Sequence, residues 1–162
     1  GLLVYYACEM LKNGRSKEEI IEWIEENKLK VAHIFTVDDL EHLKRGGRIS
    51  GTAAFVGSLL NIKPLLYVND EGKLIPYEKA RGRKKAIRQM ANELKKHIQN
   101  PEKQTIFISH GDCLEDANIL ANMIREDTTV NDIIISMVGT TVGSHSGPGT
   151  LALFFLSDTR TP

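Results

Sequence analysis

Residues 139 to 150 read Gly139-Thr140-Thr141-Val142-Gly143-Ser144-His145-Ser146-Gly147-Pro148-Gly149-Thr150, and six apolar residues, Leu151 to Leu156, follow at once. Glycine lets the backbone approach a ligand closely, while short hydroxyls and a single imidazole supply hydrogen-bonding groups. That combination suits an anion or a carboxyl group. A run of Gly, Ser and Pro is also what a plain structural turn requires. A second polar corner, Arg45-Gly46-Gly47-Arg48, favours the ligand reading, because the planar fork of Arg48 matches a carboxylate or phosphate. Arg48 and His145, with Ser144, Ser146 and Thr141 nearby, form the candidate head-group set.

Other chemistries fit less well. Gly143-Ser144-His145-Ser146-Gly147 has the glycine separation of a nucleophile elbow, but its central residue is His, so the apex carries no nucleophile. There is no G-x-x-x-x-G-K-[ST], no G-x-G-x-x-G after a strand and no H-E-x-x-H. The histidine spacing suggests no metal site, and neither a catalytic residue nor a cofactor is expected. One enzymatic alternative stays open: Arg48 and Arg81 gripping a phosphorylated metabolite, with His145 as general acid/base.

The elements that must hold these corners are legible in part. Leu3, Ala7, Met10 and Leu11 recur at helical spacing and predict a buried helix over residues 2–12, ended by Asn13-Gly14. Ser16 and Glu19 form a capping box for an amphipathic helix with Ile20, Ile21 and Ile24 inward. Residues 31–36 read as a strand. Thr36 and Asp39 have capping-box spacing for a short helix facing inward with Leu40 and Leu43. Residues 51–61 predict an almost uncharged helix, either core or the lining of an apolar tunnel.

Residues 63–68 and 74–78 flank a turn and predict a β-hairpin with Pro76 at an edge or bulge. The basic run Lys79, Arg81, Arg83, Lys84 and Lys85 then enters a helix carrying Ile87, Met90, Leu94 and Ile98 inward. It is either a solvated face or a docking site for phosphate or an acidic partner. A strand over 104–109, a helix capped by Asp112 and Glu115, a strand over 132–137 and the last strand complete the chain. The alternation implies an α/β fold with a mostly parallel or mixed central sheet, helices on its faces and an antiparallel hairpin.

With 21 Lys+Arg against 21 Asp+Glu over 162 residues, bulk charge selects neither nucleic acid nor an anionic membrane as partner. Cys8 and Cys113 lack ligand spacing and read as reduced thiols of a cytoplasmic protein, a disulfide between them being the minor alternative. No apolar run approaches the roughly 20 residues of a membrane span, so no stable membrane insertion is expected. The opening residues already look helical, which suggests a chain cut within an element.

Three motifs in order, Leu40-x-x-Leu43-Lys44-Arg45-Gly46-Gly47-Arg48-Ile49-Ser50, Leu60-Asn61-Ile62-Lys63-Pro64-Leu65-Leu66 and Gly143-x-His145-x-Gly147-Pro148-Gly149-Thr150-Leu151-Ala152, closely resemble the second half of the DegV family of bacterial lipid-binding proteins. The resemblance implies a non-enzymatic carrier that encloses a long-chain fatty acid between two domains. It further implies that the carboxylate is presented to a fatty-acid kinase subunit, which makes the acyl phosphate for phospholipid metabolism. Residues 1–30 would be the last helices of a truncated N-terminal domain, and residues 31–162 the C-terminal lipid-binding domain. By position, His145 and Arg48 resemble the head-group residues. Phe55, Val56, Leu59, Leu60, Ile62 and Leu65 would line the acyl tail, and Arg81 with Arg83 would dock the kinase. Family members also hold the carboxylate with hydroxyls of the first domain, so that domain is expected to complete the site.

Overall fold

The computed structural model describes residues 1–49 and 61–160. The expected helix over 51–61 therefore lies, but for Asn61, outside the described residues, and with it Phe55, Val56, Leu59 and Leu60. Two helices, α1 (Leu2–Lys12) and α2 (Lys17–Asn27), precede β1 (Val31–Thr36) and the short α3 (Leu40–Arg45). The hairpin β2 (Ile62–Val68) and β3 (Leu74–Arg81) leads into α4 (Arg83–His97), then β4 (Thr105–His110), α5 (Leu114–Asp127), β5 (Asp132–Met137), α6 (Thr140–Ser146) and β6 (Leu151–Leu156).

Among the described residues, six strands form one sheet in the order β3-β2-β1-β6-β4-β5. It is mixed. Only β4 and β5 run parallel, and the other four pairings are antiparallel, so the mostly parallel form expected from strand-helix alternation is corrected. The reason is non-local: β6 inserts between β1 and β4, antiparallel to both. Pro76 behaves as expected on edge strand β3, where the register slips and the pairing passes from Leu65↔Glu78 to Leu66↔Pro76.

The side-chain period of two divides the sheet into two faces. Ala32, Ile34, Leu65, Ile106, Ile108, Ile133, Leu151, Leu153 and Phe155 point to one of them and pack beneath α4 and α5, against Ile87, Met90, Leu94, Leu120 and Ile124. On the other face a smaller cluster gathers Phe35, Leu66 and Ala152 with Val37 and Leu43, and Leu40, Val68, Leu74 and Phe154 pack against it.

Three local expectations change. Asp39, not Thr36, caps α3, its carboxylate accepting from the Glu41 N–H at 2.9 Å, because Thr36 is fully buried within β1. Cys113 rather than Asp112 stands at the cap of α5, with no side-chain cap bond; Asp112 is left-handed at φ 54 because Gly111 is tied on both sides, by Gly111 N–H to the Thr150 carbonyl (2.8 Å) and Gly149 N–H to the Gly111 carbonyl (2.7 Å). Helix α1 is only half-buried: Leu2 is its buried residue, whereas Leu11 is 66% exposed. It docks through its tyrosines, Tyr5 against the Phe107 ring and Tyr6 Oη accepting from the Thr105 N–H at 3.2 Å. The capping box of Ser16 and Glu19 on α2 forms as expected.

Candidate functional site

The register places the site. Thr36 pairs with Leu151, Leu151 with His110, and His110 with Met137, so β1, β4 and β5 end where β6 begins. The segments 37–48 and 138–150 therefore meet at one end of the sheet. Part of the second segment, read from sequence as a loop, is the helix α6; Gly147 closes it at φ 78, a conformation that favours glycine.

Helices α3 and α6 approach through glycines. A Cβ on Gly46 would stand 2.5 Å from His145 Nδ1, and one on Gly147 would stand 2.5 Å from His42 Cδ2. Gly149 lies equally close over the Asp38 carboxylate. Only hydrogen at these positions lets the two corners close on each other.

Below them opens a cavity of about 710 Å³, within the range of small-molecule sites. Arg48, Thr141, His145 and Ser146 line it together, as do Gly47 and Thr150. Ser144 does not. Its hydroxyl donates to the Thr141 carbonyl at 2.9 Å, that of Ser146 to the Val142 carbonyl at 3.0 Å and that of Thr150 to the Gly147 carbonyl at 2.7 Å. These protons are already used, so Arg48, His145 and Thr141 are the donors best placed for an anion. One arm of the Arg48 guanidinium donates to the Gly46 carbonyl at 2.6 Å, which folds the side chain across the end of α3.

The walls are mostly apolar, with Phe35, Leu43, Val68, Leu74, Ala152 and Phe154 beside Met137, Val138 and Val142, and Lys73 and Ser109 line them as well. Neither Ile62 nor Leu65 is among the lining residues. Leu65 is fully buried on the helix-covered face; its neighbour Leu66 points the other way, so the residue expected at the tail has the wrong parity. Sequence reasoning missed Phe35, Phe154, Val68 and His33, although alternation along β1, β2 and β6 carried the signal.

His33 is half-buried, and Nδ1 lies 2.8 Å from the Val31 carbonyl. Burial first, then the charge of Arg160, pushes its pKa down to about 4, so the ring is neutral at neutral pH. Cys113 is a free thiol whose pKa burial raises, and Cys8 is free and exposed. Among the described residues no group of three or more His, Cys, Asp or Glu is placed to hold a metal ion, and no helix is long and apolar enough to cross a membrane.

The two arginines of the expected docking surface differ. Arg81 is exposed at the end of edge strand β3. Arg83 is enclosed: its Nε donates to Asp116 at 2.8 Å and its Nη1 lies 3.5 Å from Asp38, which also pairs with Lys63 at 2.8 Å. That network joins the segment between β1 and α3 to β2, α4 and α5.

Fold and site together define a mixed α/β domain with a largely apolar groove on one sheet face and Arg48 and His145 at one end. The chain belongs to the DegV family: the family model described as "Uncharacterised protein, DegV family" matches residues 1–158. A DegV domain-containing protein of Clostridium perfringens is 61% identical over 162 residues, covering 100% of this chain and 56% of its own length. The chain thus spans about half the length of that relative. Among solved structures, a DegV lipid-binding protein of Thermotoga maritima superposes with a TM-score of 0.83 at 34% identity, over 99% of this chain and 55% of the other. The fatty acid kinase B3 protein of Streptococcus pneumoniae, loaded with linoleic acid, gives 0.85 at 26% identity, over 97% and 55%.

Proposed function

We propose that this chain forms the acyl-tail-binding part of a fatty-acid carrier, and that the natural full-length polypeptide presents the carboxylate to a fatty-acid kinase subunit in the cytoplasm. The observation that carries the reading is that Arg48 and His145, from distant parts of the sequence, line one cavity whose remaining walls are mostly apolar. Each methylene removed from water favours binding by about 0.8 kcal/mol, while a buried carboxylate needs a charged or hydrogen-bonding partner. The lipid-binding and linoleic-acid-loaded neighbours support the same reading.

In this proposal residues 1–30 belong to a preceding domain that covers the groove, and residues 31–162 are the lipid-binding domain. Phe55, Val56, Leu59 and Leu60 add to the tail lining, and Arg81 with the exposed Lys84 and Lys85 meets the kinase. Arg83 supports that surface from within through Asp38 and Asp116. The protein itself performs no bond chemistry.

Lipid extraction and mass spectrometry of the full-length polypeptide test the reading. Bound long-chain fatty acids are expected; an empty protein that turns over a phosphate ester would replace the carrier with an enzyme. With the kinase present, His145→Ala should lower acyl phosphate formation more than lipid retention. Equal retention together with equal phosphorylation would remove His145 from the head-group role.

A further inference from the structure

The far end of the groove holds a polar atom that the carrier function does not use. Along β6 the cavity runs from Thr150 through Ala152 to Phe154, and Phe154 pairs with His33 across β1. The two rings meet edge to face, 5.2 Å between centroids at 88°. Val68 and Leu74, partners across the hairpin, line the same end. Lys73, next to Leu74, lines the cavity too, and the charge of Arg160 reaches the ring, so His33 sits among apolar side chains with two cations nearby.

Its tautomer follows from its one hydrogen bond. A carbonyl can only accept, so the contact with the Val31 carbonyl puts the proton on Nδ1, and in a neutral ring Nε2 is left as a bare acceptor. Among the described residues that bond is the only one to the ring. With Nδ1 turned back to its own strand, Nε2 is the ring atom left to meet a ligand in the cavity that His33 lines. An unpaired acceptor lining a largely apolar groove favours a ligand that brings a donor over one that does not.

We propose that the groove prefers a long-chain fatty acid bearing a hydroxyl in the second half of its chain, which donates to His33 Nε2. The inference rests on the fatty-acid reading and specifies its cargo. From Thr150 to Phe154 the strand advances about 13 Å at roughly 3.3 Å per residue. Three bonds of an extended chain span about 3.6 Å, so this corresponds to about eleven bonds from a carboxylate held at the polar end. A hydroxyl near the twelfth carbon matches; one beside the carboxylate does not.

The test compares stearate, 12-hydroxystearate and 2-hydroxystearate in competition for the full-length polypeptide. The 12-hydroxy acid should bind about fivefold tighter than stearate, the effect of one net hydrogen bond, and the 2-hydroxy acid should show no such gain. In His33→Leu the ratio should fall to about one. Equal affinity for stearate and 12-hydroxystearate in the unaltered protein overturns the proposal while leaving the fatty-acid reading intact; binding of neither acid overturns both. A second readout needs no variant: the ¹⁵N resonance of His33 Nε2 should move on adding 12-hydroxystearate and hold still with stearate, and the same movement with both would also overturn it.

Discussion

Gly46 and the His145 imidazole occupy adjoining space, so that a Cβ on the glycine would stand 2.5 Å from Nδ1. The relation is reciprocal, since His42 of α3 covers Gly147 at the end of α6. Each helix ends on a glycine that receives the other's histidine. The position of the imidazole beside the groove is thereby set by backbone packing.

Gly46→Ala should therefore destabilise the protein by about 1–3 kcal/mol through overpacking, and should disturb ligand binding as well. In a His145→Ala background the same change should cost much less, because the imidazole it strikes is gone. Urea denaturation of the double-mutant cycle reads the coupling, and strict additivity would show that the two residues do not press on each other.

The face assignment gives a contrast between neighbours. Leu65→Ala should cost about 2–5 kcal/mol of stability, as for a fully buried leucine, with little effect on the groove. Val68→Ala, on the groove face and partly exposed, should cost less stability and weaken fatty-acid binding more. Denaturation midpoints and lipid titrations of both variants would expose an error in the assigned faces.

The two arginines should separate in the same way. Arg83→Ala should lower stability by about 1.5–3 kcal/mol, because Asp116 and Asp38 lose a charged partner. Arg81→Ala should change stability by less than about 0.5 kcal/mol, as expected of an exposed side chain, and should weaken kinase association. Unfolding and kinase-binding assays run side by side distinguish a structural from a docking role.

His33 makes stability pH-dependent. Its folded pKa of about 4 lies below the ordinary value of 6.5, so the unfolded chain takes up the proton first as pH falls. Stability is unaffected above about 6.5 and declines from there to about 4, by roughly 3 kcal/mol over the window. His33→Leu should flatten that part of the stability-pH curve, and an unchanged slope would show that the ring titrates as an exposed imidazole.

Much of the fold was legible because it is local. The box of Ser16 and Glu19, the inward residues of α4 and α5, the hairpin and the bulge at Pro76 follow from spacings within a few residues. The two polar corners could be identified by their glycines and the types of side chain they carry. Their meeting could not be derived from local spacing, since it depends on β6 entering the sheet between β1 and β4.

The chain's own letters thus determined most of the helices and strands and marked the two polar corners. Tertiary structure decided that the sheet is mixed, that 140–146 is a helix packed on α3, and that Leu66 rather than Leu65 shares the groove's face. It also brought His33 opposite Phe154 at the far end of the groove. The division has one cause: helical and strand periodicities are carried by neighbouring residues, whereas strand order and register are chosen by burial between segments far apart in sequence.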